Sequence, residues 1–392
     1  MTSGSPIWDA VVVGSGPAGA TAALHLAQRD FRVLILEKET WPRYKTCSGG
    51  LVWRARRQLD VDVGDSLEGE THLAELHVHD TGTAFAVTRV EPLVSMTLRS
   101  VLDDTLTKAA LAAGAEMESA RKVTHLDQLP DSVTLVAGDH SYRTRFVIAA
   151  DGAAGATATL SAWGQHPHLI PALESEIRTD AATLKRFSGV ARFDFGLVSS
   201  GYAWVFPKRN HLSVGCLSFR RHKHELQRNL AAYLRLLDID PLQSEDHGFV
   251  IPVAPRASPL TKGRVLLTGD SAGLVDPVTC EGISNAILSG RLAARAIDDS
   301  GPLPEEVSRT YQRSLEDSIL RELRFGRILA GFLYRSPRLS RFAFRRLGQS
   351  LSEAMADIIS GDRTYQELLS SPKGYFHVLG RLLGLRGTYP KG

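Results

Sequence analysis

Cysteine is scarce in this chain of 392 residues: Cys47, Cys216 and Cys280 are far apart, odd in number and without any C-x-x-C spacing. Neither a disulfide framework nor a zinc site is expected from them, and a reducing compartment fits. No uninterrupted apolar run approaches the ~20 residues that span a bilayer, so an integral membrane helix is excluded. No basic segment precedes the first apolar run, which stops at once in glycines, so a secretory signal is not expected either. The expectation is a cytoplasmic protein, with attachment at a membrane surface left open. An excess of one charge is also lacking. A formal +3 over this length is too weak to argue for nucleic acid, and no Lys/Arg tract is interleaved with aromatics. His211 and the His222/His224 pair lie in polar stretches with no third ligand at metal spacing; they read as exposed, and no metal is expected. Internal repeats and low-complexity tracts are absent.

What is present is the balance of an ordinary globular protein, 43% hydrophobic and 23% charged. Ile7 to Val13 is a β-rich run, Gly14 to Gly19 a glycine turn, Ala18 to Gln28 an alanine-rich helical stretch, and Arg32 to Leu36 a second apolar run. That βαβ order predicts a parallel, doubly covered sheet. A helix is predicted over Leu98 to Ala113 and strands over Ser132 to Val136, Arg145 to Ala149 and Arg264 to Leu267, so the sheet resumes after an insertion. Alternating residues at Leu73 to Val94 and Gly189 to Phe219 predict antiparallel strands with one exposed face. A helix over Gly282 to Ile297 follows. From Pro304 the pattern is helical, with loops at Ser336-Pro337 and Ser371-Pro372.

Gly14-Ser15-Gly16-Pro17-Ala18-Gly19 fits G-x-G-x-x-G, in which Gly14, Gly16 and Gly19 let backbone approach a pyrophosphate at the helix start beside Pro17 and Ala18. Glu37, at the end of the next strand, can accept ribose hydroxyls. Dinucleotide binding follows, but the motif alone does not choose between NAD and FAD. Two later strand ends, Val147-Ile148-Ala149-Ala150-Asp151-Gly152 and Leu266-Leu267-Thr268-Gly269-Asp270, resemble the second and third flavin fingerprints of glutathione-reductase-like flavoproteins. FAD is therefore the expected cofactor, with Asp270 on its ribityl chain. Arg99 matches the arginine these enzymes place near the cofactor; a solvated helix arginine is the alternative.

Two more segments narrow the resemblance. Tyr44-Lys45-Thr46-Cys47-Ser48-Gly49-Gly50 and Gly201-Tyr202-Ala203-Trp204-Val205-Phe206-Pro207-Lys208 resemble motifs of the geranylgeranyl reductase family, the second its Y-x-W-x-F-P pattern. Asp276-Pro277-Val278-Thr279-Cys280-Glu281-Gly282-Ile283 resembles that family's loop over the flavin, with Cys280 where glycine is more usual. Ile359 to Tyr365 resembles a segment near the family's C-terminus. The resemblance implies an α/β fold: a discontinuous Rossmann-like FAD-binding domain (1–72, 96–160, 256–302), an antiparallel-sheet substrate domain (73–95, 161–255) and a helical C-terminal region (303–392). It adds Lys38, Lys45, Cys47, Ser48, Gly49, Val123, Pro277, Gly282 and Ile283 to the cofactor site.

The implied activity is FAD-dependent saturation of carbon-carbon double bonds in a prenyl chain, by hydride plus proton delivery in a pocket that excludes water. Tyr202, Trp204 and Phe206, two apart on a strand, would share one face and wall an apolar pocket, or else form plain core. Cys47 is a candidate for steering substrate or tuning the cofactor, and Glu281 for relaying a proton. No second G-x-G-x-x-G marks a dedicated NAD(P)H domain, so NAD(P)H and a ferredoxin-type protein both stay open as electron donor. The flavin fingerprints are shared by monooxygenases and by halogenases acting on aromatic or polyketide substrates, and these are the alternatives. Between Arg321 and Leu347, eight arginines and one glutamate alternate with apolar residues. That segment is either a membrane-contacting surface or a helical pack with a solvated arginine face.

Overall fold

The computed structural model describes residues 7–165, 168–220 and 223–370. The glycine turn joins strand Trp8–Val13 to helix Pro17–Ala27, and strand Val33–Leu36 follows. Pro17 stands in the first helical turn, where its missing N–H is no loss. The parallel sheet runs in the order Val265–Leu267, His140–Ala149, Trp8–Val13, Val33–Leu36, Glu116–Glu118. Val11, Val12, Ile35, Val147 and Ile148 are completely buried in it, which is why these strands read as unbroken apolar runs rather than alternating ones. Helices Arg99–Ala112 and Ile283–Ser300 pack against Pro17–Ala27. Segments far apart in the chain thus bring their strand ends to one edge.

The second sheet has seven strands, in the order Gln243–Pro252, Leu169–Arg178, Leu212–Ser218, Gly201–Pro207, Val190–Phe195, Leu73–Val78, Thr83–Thr88. The expected 73–94 and 189–219 segments do meet here, although Val94–Thr97 belongs to a small separate sheet with Gly50–Val52 and Leu67–Thr71. The pattern gave no signal for the strands at either end of the chain's detour. Leu169–Arg178 carries Pro171 and two glutamates, features that argue against a central strand. One expectation is corrected: Gly201–Pro207 and Leu212–Ser218 have no exposed face, every residue being buried. Helix Lys223–Leu236 covers the outer face, where Leu226, Leu230 and Tyr233 pack on Val205, Val214 and Cys216. The alternate residues Tyr202, Trp204 and Phe206 face the other way, towards the nucleotide sheet and the C-terminal helices.

Those helices are Pro304–Leu315, Arg321–Arg335, Pro337–Ser360 and Tyr365–Ser370. Pro337 ends one helix and opens the next, as its lack of an N–H requires. Ser371-Pro372 lies outside the described residues. Leu329, Leu333 and Phe344 turn inwards, while the arginines face out together with the exposed Ile328, Leu339 and Phe342. None of the described helices is long and apolar enough to cross a membrane. No group of His, Cys, Asp and Glu able to hold a metal occurs among the described residues.

His211 is not exposed as its polar surroundings imply. Its ring is only 14% accessible and its Nε2 lies 2.9 Å from Glu176 Oε2, because the turn before Leu212 folds it onto the neighbouring strand. His222 lies outside the described residues, as does the side chain of His224.

Candidate active site

One cavity of about 910 Å³ runs from the glycine turn, across the Trp204 face of the second sheet, to Phe344 and Leu368 in the C-terminal helices. At its first end the glycine turn is shaped by close approach. Gly14 has φ +97°, and a Cβ there would lie 2.6 Å from the Ala150 carbonyl oxygen; one on Gly19 would lie 1.9 Å from the Gly14 oxygen. Gly16 instead faces open space, with the guanidinium groups of Arg43 and Arg99 each just under 4 Å from where its Cβ would be. Bare backbone and two cations at a helix start make an anion cradle.

Glu37 ends its strand beside this cradle, nearly inaccessible at 3%. Its Oε2 accepts from the Ser15 backbone N–H (3.1 Å), the Ser15 hydroxyl (2.7 Å) and Arg43 Nε (3.2 Å). Burial pushes its carboxyl up, but Arg43 and Ser15 outweigh burial and hold it below the ordinary value. It stays ionised and able to accept hydroxyls. Arg99 opens its helix and donates through both Nε and Nη2 to the buried Asp103, 2.8 Å each. Burial lowers the Arg99 pKa; Asp103 and Cys47 more than restore it, so the charge is secure. The solvated-arginine alternative does not hold, since the side chain is 9% accessible.

Asp151 and Asp270 both border the cavity, and burial raises both carboxyls. Asp151 Oδ2 accepts from the Thr157 N–H and hydroxyl, whereas Asp270 is countered by Lys45 and Arg99. Lys45 projects into the cavity, and its ammonium is pushed down by burial and by Arg99. Lys38, Cys47, Ser48, Val123, Gly152, Gly282 and Ile283 also line the wall. Gly19, Gly49, Gly269 and Pro277 are not among the lining residues. They act through backbone shape and packing: Gly49 at φ +75° sits against the Thr97 oxygen, Gly269 against Ala18, and Pro277 against Gly326 in the C-terminal helices.

Tyr202, Trp204 and Phe206 belong to a buried apolar cluster and also line the cavity. The Tyr202 hydroxyl donates to the Thr279 carbonyl at 2.6 Å, tying the sheet to the 273–282 loop. Within that loop Cys280 has φ +58°, a left-handed conformation that costs a side chain but not glycine. Burial raises its thiol well above the usual range, so it is a neutral wall residue. Glu281 also reaches the cavity, yet Arg54 occupies its Oε2 at 3.1 Å and the Ser284 N–H its Oε1 at 2.8 Å. That partner set makes it a helix cap and ion-pair member. Asp276, at 2% exposure, accepts from the Tyr365 hydroxyl at 2.9 Å. The late segment thereby reaches the loop over the cofactor end.

Sequence reasoning passed over Ser15, Arg43, Asp103 and Arg54. Ser15 stood in plain view inside the glycine motif. Arg43 and Asp103, paired with each other at 3.1 Å, and Arg54, bonded to Glu281, make those contacts with segments far along the chain, which no local pattern announces.

Gly14, Gly16, Glu37, Arg99 and Asp270 together fit the pyrophosphate, ribose and ribityl parts of a flavin dinucleotide, with a bare-backbone cradle at one end and a long cavity beyond. Such a site belongs to an FAD-binding protein. Residues 8–297 match the family described as FAD binding domain. Digeranylgeranylglycerophospholipid reductase 1 of Methanopyrus kandleri is 32% identical over 73% of this chain and 79% of its own. Menaquinone reductase of Mycobacterium tuberculosis is 29% identical over 82% and 83%. Among solved structures, a geranylgeranyl bacteriochlorophyll reductase-like protein from Thermoplasma acidophilum shares the fold with TM-score 0.76 at 21% identity, over 97% of this chain and 99% of the other. A flavin-dependent brominase shares it with TM-score 0.70 at 18% identity, over 91% and 94%. The chain belongs to the geranylgeranyl reductase family of FAD-dependent oxidoreductases.

Proposed function

We propose that this enzyme saturates carbon-carbon double bonds in the prenyl chain of a lipid. The observation that carries this reading is the continuity of the cavity. Its cofactor end is polar and cationic, and beyond Trp204 its wall consists of Leu329, Leu333, Phe344, Met355 and Ile359, a lining suited to a long hydrocarbon. Bound FAD, once reduced, supplies the hydride. Around it Glu37, Arg43 and Arg99 hold the dinucleotide, and Lys45 and Asp270 fix the ribityl side. Tyr202, Trp204 and Phe206 press the chain against the reacting position and keep water out, which an unactivated alkene requires. Cys47, between Arg99 and the aromatic face, orients the bond to be reduced.

The outer face of helices Arg321–Arg335 and Pro337–Ser360 supports a source for that lipid. Exposed Ile328, Leu339 and Phe342 are interspersed with exposed arginines, a pattern that meets an anionic membrane surface. The inward residues of the same helices wall the cavity, so a lipid drawn from the membrane has a short path.

The test is anaerobic. Dithionite-reduced protein is mixed with a geranylgeranylated glycerophospholipid or a prenylated quinone, and flavin reoxidation is followed with mass spectrometry of the lipid. Reoxidation without oxygen and a gain of two hydrogens per saturated bond is the expected result. Flavin that reoxidises only in air, whatever prenyl lipid is offered, would replace this reading with a monooxygenase or halogenase. Repeating the assay with NADH, NADPH or reduced ferredoxin in place of dithionite identifies the donor.

A further inference from the structure

Saturating an alkene takes a proton as well as a hydride, and the source of the proton has not yet been assigned. The aromatic side chains of the cavity face are not acids at neutral pH, and both oxygens of Glu281 are engaged. The following inference rests on the reductase reading.

Across the cavity face of the second sheet, strand register sets up one row of neighbours: Trp204, Gly215, Glu174 and His247. The row below pairs Phe206, Ser213, Glu176 and Glu245. Glu174 is completely buried, a rare position for a carboxyl. Its Oε1 accepts from the Ser213 hydroxyl at 2.6 Å. Its Oε2 has no partner, and neither has the indole Nε1 of Trp204. Only Gly215 separates the two side chains in the row. The edge of the indole lies over that glycine so closely that a Cβ there would meet Trp204 Cζ2 at 2.2 Å and Cε2, which carries the nitrogen, at 2.6 Å. An unpaired buried acceptor and an unpaired buried donor in one row call for a shared partner.

Behind Glu174 a chain of groups leads outwards. Glu176 stands two residues on, on the same face of the strand, and is held by Lys208 and by His211, 2.9 Å away. Two adjacent carboxyls in a buried site share a proton, because both cannot be charged together. Burial first, and the Glu176 charge second, push Glu174 up to about 7. Burial also pushes Glu176 up, but His211 and Lys208 outweigh it and keep it ionised. Tyr44 faces both glutamates, with Cys47 and Glu245 beside it, and its ring packs on His247 at 4.6 Å. The proton therefore rests on Glu174, at the inner end of the chain.

We propose that Glu174, backed by Glu176 and His211, is the proton store for the reduction. A water hydrogen-bonded to Glu174 Oε2 and to the Trp204 indole N–H carries the proton into the cavity. The electron pair of the double bond forms the new C–H bond with that proton at one carbon, while the hydride from the reduced flavin forms the other. The flavin is oxidised, the alkene is reduced, and Glu174 is left as a carboxylate. His211 and Glu176 then pass a proton inwards from solvent and restore it. Glu174 acts through the water and Trp204, so its role is to store and aim the proton.

The experiment compares the wild-type holoenzyme with Glu174→Gln and Glu174→Asp. Infrared titration of the oxidised holoenzyme, without substrate, is expected to show a protonated carboxyl that ionises near neutral pH and is missing in Glu174→Gln. In single turnover, Glu174→Gln should slow prenyl saturation by ~100-fold or more, while its FAD content and dithionite reduction stay at wild-type levels. The wild-type rate should fall as pH rises above about 7; that limb disappears in Glu174→Gln and is retained by Glu174→Asp. Absence of the infrared band, or a Glu174→Gln rate and pH profile equal to wild type, overturns the proposal. A wild-type protein that shows the band but saturates no prenyl lipid overturns the reductase reading and the delivery step with it, while leaving the stored proton established.

Discussion

Glu37 and Glu174 are the same side chain, both buried, the first lining the cavity and the second in the row of its Trp204 wall, and their surroundings drive them in opposite directions. Glu37 sits among donors, with Ser15 and Arg43 converging on one oxygen, and is held as a carboxylate. Glu174 has one hydroxyl donor, one unpaired oxygen and a second carboxyl for a neighbour, and is held as an acid. Burial favours the neutral form in both; what decides the outcome is whether positive or negative groups complete the shell. The cofactor end is thus a fixed-charge site, and the row beside Trp204 is a titrating one.

The sharpest way to separate the two ends is with glycines. Gly19→Ala should destabilise the protein by about 3 kcal/mol and abolish flavin retention, since its Cβ would meet backbone that cannot move. Urea melts and flavin absorbance after gel filtration check this. Gly215→Ala meets only the Trp204 ring, which can swing into the cavity. A loss of about 1 kcal/mol is expected, with FAD retained and prenyl turnover impaired. Equal loss of flavin in both variants would erase the distinction between the two ends.

Next in size, Glu37→Gln should weaken FAD binding by roughly 10- to 100-fold, the worth of hydrogen bonds to a charged acceptor, as read by fluorescence titration. Smaller again is the effect of pH on stability, which should carry opposite signs at the two residues. The Glu37 carboxyl is lowered by folding, so its contribution is present above the ordinary carboxylate range and is lost as pH falls below it. Glu174 is raised, so its contribution is full in acid and is lost as pH climbs towards about 7. At Glu174 the slope approaches about 1.4 kcal/mol per pH unit in its window. Denaturant midpoints from about pH 2 to 8, taken for wild type, Glu37→Gln and Glu174→Gln, should flatten one limb each. The smallest effect belongs to the outer helical face: Phe342→Ser should reduce binding to anionic vesicles several-fold without altering FAD content, as vesicle co-sedimentation would show.

The two ends also differ in how far they could be read before the fold was known. The glycine turn, Glu37 and the two strand-end acidic motifs are local, because a backbone cradle needs particular residues at fixed spacing within one βαβ unit. Tyr202, Trp204 and Phe206 were legible as one face from their period of two, but whether that face met core or cavity was not. The Glu174 cluster had no local signature. Its strand carries Pro171, its hydroxyl partner Ser213 comes 39 residues later, and its glycine spacer and indole neighbour stand on two further strands. His211 was misread for the same reason, since polar neighbours in sequence say nothing about a carboxylate delivered from another strand.

Sequence alone determined the FAD-type nucleotide unit and the family, since tight turns, strand ends and aromatic alternation are dictated by backbone geometry over a few residues. The tertiary structure decided the charge state of each buried acid and the assignment of glycines to cradle or packing. It also joined the cofactor site and the apolar chamber into one cavity. Those outcomes depend on distances between separate strands and loops, from tens to hundreds of residues apart, and electrostatic and packing energies act through space rather than along the chain.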